Sequence, residues 1–238
     1  MPNQQQRRVV VVLGASRGIG RATAQALATT GTYLALAARS VTDLAAVEAA
    51  VCASGATAVA LPCDATDEAA VQQMITTAAA VTGQIDMLVN SAGSAIITPF
   101  DELTLADWEA ALRTNLTSVF LACKYAVQHM RAGGLIVNVA SVASRQAFPG
   151  WAAYTAAKHG LLGFSSAIRE ELRPRGIRVT TVLPAATDTD LWASLPGDWN
   201  RANMLKAEDV ARAIAQLADQ PAYMTTEELV IGHVAGRL

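Results

Sequence analysis

Residues 7–20 read RRVVVVLGASRGIG. The run 7–13 is β-branched, short and bounded by glycine, which is the pattern of a buried strand. RATAQALATT (21–30) has helical composition and stops at Gly31. Between them stand Gly14, Gly18 and Gly20, with Ser16, Arg17 and Ile19 completing the loop. The spacing is G-x-x-x-G-x-G rather than G-x-G-x-x-G, but the mechanics are the same. Glycines let backbone amides approach a diphosphate, and the following helix N-terminus favours its negative charge.

Beyond this stretch, strand-like and helix-like runs alternate along the chain. Strands are expected at 32–38, 56–62, 85–90, 134–140, 176–184 and 228–232, in addition to the first. Helices are expected at 41–54, 67–81, 104–131, from 150 to 172, and at 207–218, with a mixed Trp-containing segment at 187–205. Ser40-Val-Thr-Asp43 and Thr104-Leu-Ala-Asp107 read as capping boxes. Strands separated by helices imply βαβ units and a parallel sheet, and nearly continuous apolar strands imply that both faces are covered. The expected fold is a single α/β domain over 1–238: a Rossmann-type doubly wound sheet of about seven strands with helices on both faces. A ligand belongs at the carboxyl ends of its strands.

Composition agrees with a globular chain. Of 238 residues 52% are hydrophobic and 16% charged, which argues against disorder. The net charge of −2 argues against a nucleic-acid binder or a protein of anionic membranes. Cys52, Cys63 and Cys123 are scattered without ligand spacing and read as reduced thiols of a cytoplasmic protein. His129, His159 and His233 share no ligand spacing either, so no metal is expected. The paired arginines before the valines suggest an export signal, but the apolar run Val9–Leu13 is too short and meets a glycine loop. Residues 1–6 are expected to be a flexible polar tail, and no apolar run approaches transmembrane length.

The glycine loop and the end of the second strand together point to a dinucleotide. An NAD site carries an acid about twenty residues on, against the ribose 2′-hydroxyl. Here the second strand ends Ala37-Ala38-Arg39-Ser40, and no acid occurs before Asp43. Arg17 and Arg39 suit the extra charge of a 2′-phosphate, so NADP(H) is expected over NAD.

Further motifs come in order: Asp64 after the third strand, Asn90-Ser-Ala-Gly93 after the fourth, Asn115, Ser141 after the fifth, and Tyr154-x-x-x-Lys158. With the glycine loop, this ordered set resembles the short-chain dehydrogenases/reductases, of the NADP-preferring type, over nearly the whole chain. The resemblance implies an oxidoreductase interconverting a carbonyl and an alcohol by hydride transfer. Tyr154 would be the general acid/base and Lys158 would lower its pKa and hold the nicotinamide ribose. Ser141 would hold the substrate oxygen, and Asn115 would support a proton-relaying water. Asp64 and Ala65 would contact adenine, and Ser40 would join Arg39 at the ribose. Asn90, Ala92 and Gly93 would line the groove, with Pro184, Thr187 and Thr189 covering the nicotinamide end. The chain departs from the family pattern at Leu13 (often Thr), Ser91 (often Asn) and Ala185 (often Gly). The family also implies a homotetramer, or a homodimer, built through the long helices at 104–131 and 150–173.

The Tyr–Lys pair has a physical rationale. A lone Tyr-x-x-x-Lys is ordinarily a surface helix, but positions i and i+4 share a face. Two unit charges about 4 Å apart at an effective dielectric of about 20 interact by roughly 4 kcal/mol. That would lower a phenol's pKa of about 10 by roughly two to three pH units before desolvation acts. Beyond the strand end, Ser141 can donate to an oxygen gaining negative charge.

The partner is expected to be a small carbonyl or alcohol compound, apolar in character. Segments 94–100, 142–151 and 187–205 supply Ile96, Phe148, Trp151, Leu191, Trp192 and Trp199, with Arg145 and Arg201 as their cations; these apolar side chains either line an acceptor cleft or pack as a lid on the core or on a neighbouring subunit. A β-ketoacyl carrier-protein reductase is one form this reading takes. The alternative from another class is a non-catalytic NADP-binding sensor.

Overall fold

The computed structural model describes residues 8–236, so the tail expected at 1–6 lies outside the described residues. The strands of the main sheet are β1 (Arg8–Leu13), β2 (Thr32–Ala38), β3 (Thr57–Pro62), β4 (Met87–Asn90), β5 (Leu135–Val139), β6 (Arg178–Pro184) and β7 (Glu228–Ile231). They lie in the order β3-β2-β1-β4-β5-β6-β7, and every pairing is parallel. The helices are α1 (Gly18–Ala26), α2 (Val41–Ala53), α3 (Glu68–Ala79), α4 (Leu105–Leu112), α5 (Ser118–Ala126), α6 (Ala152–Leu172) and α7 (Ala207–Ala218).

The pleat of β1 shows why its valine run works. Val9, Val11 and Leu13 enter a core that α3, α5 and α6 close, while Val10 and Val12 enter the core closed by α1, α2 and α7. All five are buried, as expected of a strand covered on both faces. Two caps predicted from sequence form: Ser40 accepts from the Asp43 N–H and Thr104 from the Asp107 N–H. Asp67 caps α3 in the same way, accepting from Ala70.

The helical run expected at 104–131 forms without a break from Leu105 to His129, but it is not α-helical throughout. Between α4 and α5 the chain makes a π turn at Arg113–Thr117, and a 3₁₀ turn ends the run at Val127–His129. The wide turn displaces carbonyls from their ordinary donors, and nearby side chains serve them instead. Asn115 Nδ2 donates to Ala111 O at 3.0 Å and Ser118 Oγ to Thr114 O at 2.6 Å. Segment 187–205 is likewise irregular, with short 3₁₀ turns at Asp190–Ser194 and Arg201–Asn203. Among the described residues no helix is long and apolar enough to cross a membrane.

Strand order reverses between β1 and β4. Their carboxyl ends, Leu13 and Asn90, are paired neighbours in the sheet. Loops leaving the two strands must therefore diverge and open a crevice there.

Candidate active site

A cleft of about 540 Å³ lies at that crevice. Its floor is the glycine loop. Gly14 has φ +85°, and a Cβ on it would lie 2.5 Å from the Ala92 nitrogen. Gly18 has φ +54°, and a Cβ on Gly20 would lie 2.1 Å from the Gly14 carbonyl oxygen. The first two need glycine for conformation, and the third lets α1 seat against the loop. Gly20→Ala is therefore expected to destabilise the fold by roughly 1–3 kcal/mol. A urea midpoint equal to that of the unsubstituted chain would show that the loop simply yields.

The N-terminus of α1 opens on the cleft with no side-chain cap and no acid in its first turn, so its amides are left for an anion. Ser16, Arg17 and Ile19 line the wall beside it, Arg17 exposed. Further along stand Arg39, Ser40, Asp64 and Ala65. Asp64 accepts from the Thr66 N–H at 2.9 Å and its hydroxyl at 2.8 Å. These bonds hold the carboxyl below its ordinary pKa, and the charges of Arg39 and Arg113 add to the effect. A glycine cradle, an open helix end and a cationic rim around a cleft of this volume fit a dinucleotide.

At the other end, α6 brings Tyr154 and Lys158 to the wall. Lys158 is 4% exposed, and its Nζ donates to Val139 O at 3.1 Å. Burial pulls its pKa down from 10.5 to about 8. The Nζ lies 5.5 Å from the centroid of the Tyr154 ring. Tyr154 itself departs from the electrostatic expectation: burial pushes the phenol up to about 12, and a hydrogen bond from Ser141 only partly offsets this. Desolvation thus outweighs the one hydrogen bond that favours the phenolate.

Gly93 is where three elements converge. A Cβ there would lie 3.0 Å from Asn115 Oδ1 and 3.8 Å from Lys158 Nζ. Asn115 is fully buried, donating to Ser94 O at 2.9 Å and accepting from the Ser94 N–H at 3.3 Å. The π turn aims this amide at the loop after β4, a common use of such turns.

Not every expected residue borders the cleft. Ala92, Gly93 and Thr189 do. Asn90 is buried beneath it, Ser141 caps the turn Val142–Ser144, and Pro184 and Thr187 are buried off the wall. Thr187 turns its hydroxyl onto Ala185 O at 2.9 Å. Of the three departures, Leu13 still receives the Ser91 N–H at 2.9 Å and Ala185 donates to Ile231 O at 2.8 Å, both through backbone atoms that side-chain identity leaves intact.

Sequence reasoning missed Arg113 and Thr114 on the wall, because the helical pattern hides the π turn. It also missed a buried polar chain: Asn90 Nδ2 donates to Asn138 Oδ1 at 2.8 Å, and Asn138 Nδ2 donates to Ser165 Oγ at 2.9 Å. The signal was present, since Asn138 is the one polar residue in the strand LIVNV. This chain ties β4, β5 and α6 together, next to the carbonyl that holds Lys158.

The fold, the glycine cradle and the Tyr–Lys helix face define a nucleotide-dependent oxidoreductase architecture. Residues 8–199 match the family model described as short chain dehydrogenase, and the chain belongs to that family. It is 39% identical over 223 residues to a 3-oxoacyl-[acyl-carrier-protein] reductase of Synechocystis sp., covering 90% of each chain. It is 38% identical over 197 residues to a D-threitol dehydrogenase of Mycolicibacterium smegmatis, covering 80% of this chain and 76% of the relative. A short chain dehydrogenase from Burkholderia cenocepacia, solved in complex with NADP, superposes with a TM-score of 0.87 at 34% identity, covering 97% and 98% of the two chains. The protein is an oxidoreductase of this family.

Proposed function

We propose that the protein is an NADP(H)-dependent carbonyl reductase in which Tyr154 is the proton donor. The observation that carries this reading is the placing of Tyr154, Lys158 and Asn115 at one end of a cleft whose other end is cationic and open to phosphate. The NADP bound to the Burkholderia relative and the reductase activity in the name of the Synechocystis relative support it.

The residues divide the work. The α1 amides and Gly14–Gly20 hold the diphosphate, Arg17 and Arg39 the 2′-phosphate, and Asp64 and Ala65 the adenine side. When bound, the reduced nicotinamide supplies a hydride to the carbonyl carbon. Ser141 orients the carbonyl oxygen and Tyr154 gives it a proton. A phenol at about 12 is a weak acid, yet the developing alkoxide is a stronger base than phenolate, so the transfer remains downhill. Lys158, at about 8, exchanges protons near neutrality and restores the phenol, with Asn115 fixing the geometry behind it.

Loss of NADPH absorbance with a panel of ketones, aldehydes and ketoacyl thioesters tests the reaction. A wild-type protein that binds NADPH and reduces none of them overturns it. Arg39→Asp is expected to shift the NADP-to-NAD affinity ratio toward NAD by on the order of tenfold or more, the worth of one charged hydrogen bond. An unchanged ratio refutes the cofactor assignment.

The same reading has the chain assembling as a homotetramer or homodimer through α4–α5 and α6. Phe120 is 44% exposed, edge-on to Phe164 across α5 and α6, which supports a covered face there. Sedimentation equilibrium tests it.

A further inference from the structure

Beyond Tyr154, aromatic rings continue in an unbroken series. Trp151 meets Tyr154 edge-to-face with centroids 5.3 Å apart, and Phe148 lies 6.4 Å from Trp151. Trp192 lies 6.0 Å from Trp151, and Trp199 lies 4.8 Å from Trp192. Phe148 and Trp151 stand on the lip leading into α6, and Trp192 and Trp199 on the opposite lip, which follows β6. The Trp151–Trp192 contact therefore bridges the two lips.

The rings are held in place. Trp192 Nε1 donates to Thr187 O at 2.9 Å. Trp199 packs on Gly197, where a Cβ would lie 3.1 Å from the indole. All four keep part of their surface exposed. The two cations of these lips are already matched: Arg145 pairs with Glu228, and Arg201 with Asp188.

We propose, resting on the reductase reading above, that the Trp151–Trp192 bridge is the acceptor wall and selects a compact, flat, apolar carbonyl compound. An aryl ketone or aryl aldehyde is the class it fits, in preference to an acyl chain carried on a pantetheine thioester. A flat ring packs on the partly exposed indoles, where aromatic pairs add to ordinary burial. A long thioester needs the bridge parted, and on these two lips a phosphorylated carrier arm meets guanidinium groups already held by carboxylates. The chemistry is unchanged: the carbonyl carbon gains a hydride from the reduced nicotinamide dinucleotide, the π pair moves to oxygen, and the Tyr154 hydroxyl supplies the proton.

The test compares wild type, Trp192→Ala and Trp192→Phe on an aryl methyl ketone and on the acetoacetyl thioester of N-acetylcysteamine. Ketone binding is followed separately by quenching of tryptophan fluorescence, and NADPH affinity by its own titration. The wild type is expected to prefer the ketone. Trp192→Ala should lose roughly tenfold in kcat/KM and in affinity for the ketone, and hold or gain on the thioester. Trp192→Phe should recover most of the loss, and NADPH affinity should not change in either. A wild type that prefers the thioester, or an alanine variant in which both substrates fall together, overturns the selection and leaves the reductase reading standing. A wild type that binds NADPH and the ketone but reduces neither substrate overturns the reductase reading itself.

Discussion

Tyr154→Phe is expected to lower turnover by about 10²–10⁴-fold, the usual worth of a positioned general acid, while NADPH binds with little change. The substitution removes one oxygen and leaves the ring that packs edge-to-face against Trp151. Folding should therefore survive, and the loss should fall on kcat rather than on NADPH affinity. Single-turnover kinetics with bound NADPH make the check clean. Turnover within a few-fold of wild type would mean that the proton reaches the substrate from elsewhere, and the assignment of Tyr154 would be withdrawn.

Lys158→Met is expected to lower turnover by at least about 10²-fold and also to change how stability depends on pH. In the fold the amine is pulled from 10.5 down to about 8 by burial, which corresponds to about 3 kcal/mol favouring its neutral form. The unfolded chain binds the proton more tightly, so between about pH 8 and 10.5 wild-type stability gains from this group as pH rises. Below pH 8 the folded amine is charged, and the full penalty is present. Other groups titrate in the same range, among them Cys63 (raised to about 11) and Tyr154 (raised to about 12), and both act in the opposite sense above their unfolded values. The informative quantity is thus the difference between wild-type and Lys158→Met urea stabilities. It should move by about 3 kcal/mol in favour of wild type from about pH 7 to about pH 10.5. A difference independent of pH would show that Lys158 is not desolvated in solution.

The architecture was largely legible because its signals are local. Alternating short apolar runs and helical runs, punctuated by Gly14, Gly31 and Gly150, gave all seven strands of the main sheet, with ends displaced by a residue or two. Capping residues Ser40 and Thr104 marked helix starts because their side chains bond within the same turn. The candidate site was legible as a set of residue types in order, most of which line one cleft. The features that escaped depend on long-range geometry. The raised pKa of Tyr154 follows from desolvation of a half-buried phenol in the assembled fold, which the spacing to Lys158 does not encode. Arg113 reaches the wall through the π turn, and the Asn90–Asn138–Ser165 chain joins residues far apart in sequence.

The π turn has a consequence for how this helix can vary. Its first half, α4, packs against α6, and its second half, α5, packs against α3. One residue is worth about 100° of rotation in an α-helix. A π turn takes up one residue more than an α turn, so deleting a single position between Arg113 and Thr117 would regularise the spiral and leave Val119, Ala122 and Ala126 in the core they now fill. The extra residue thus serves the Asn115 amide that the wide turn lays on Ser94, and not the packing of the two halves, even though nothing in its composition marks it as special.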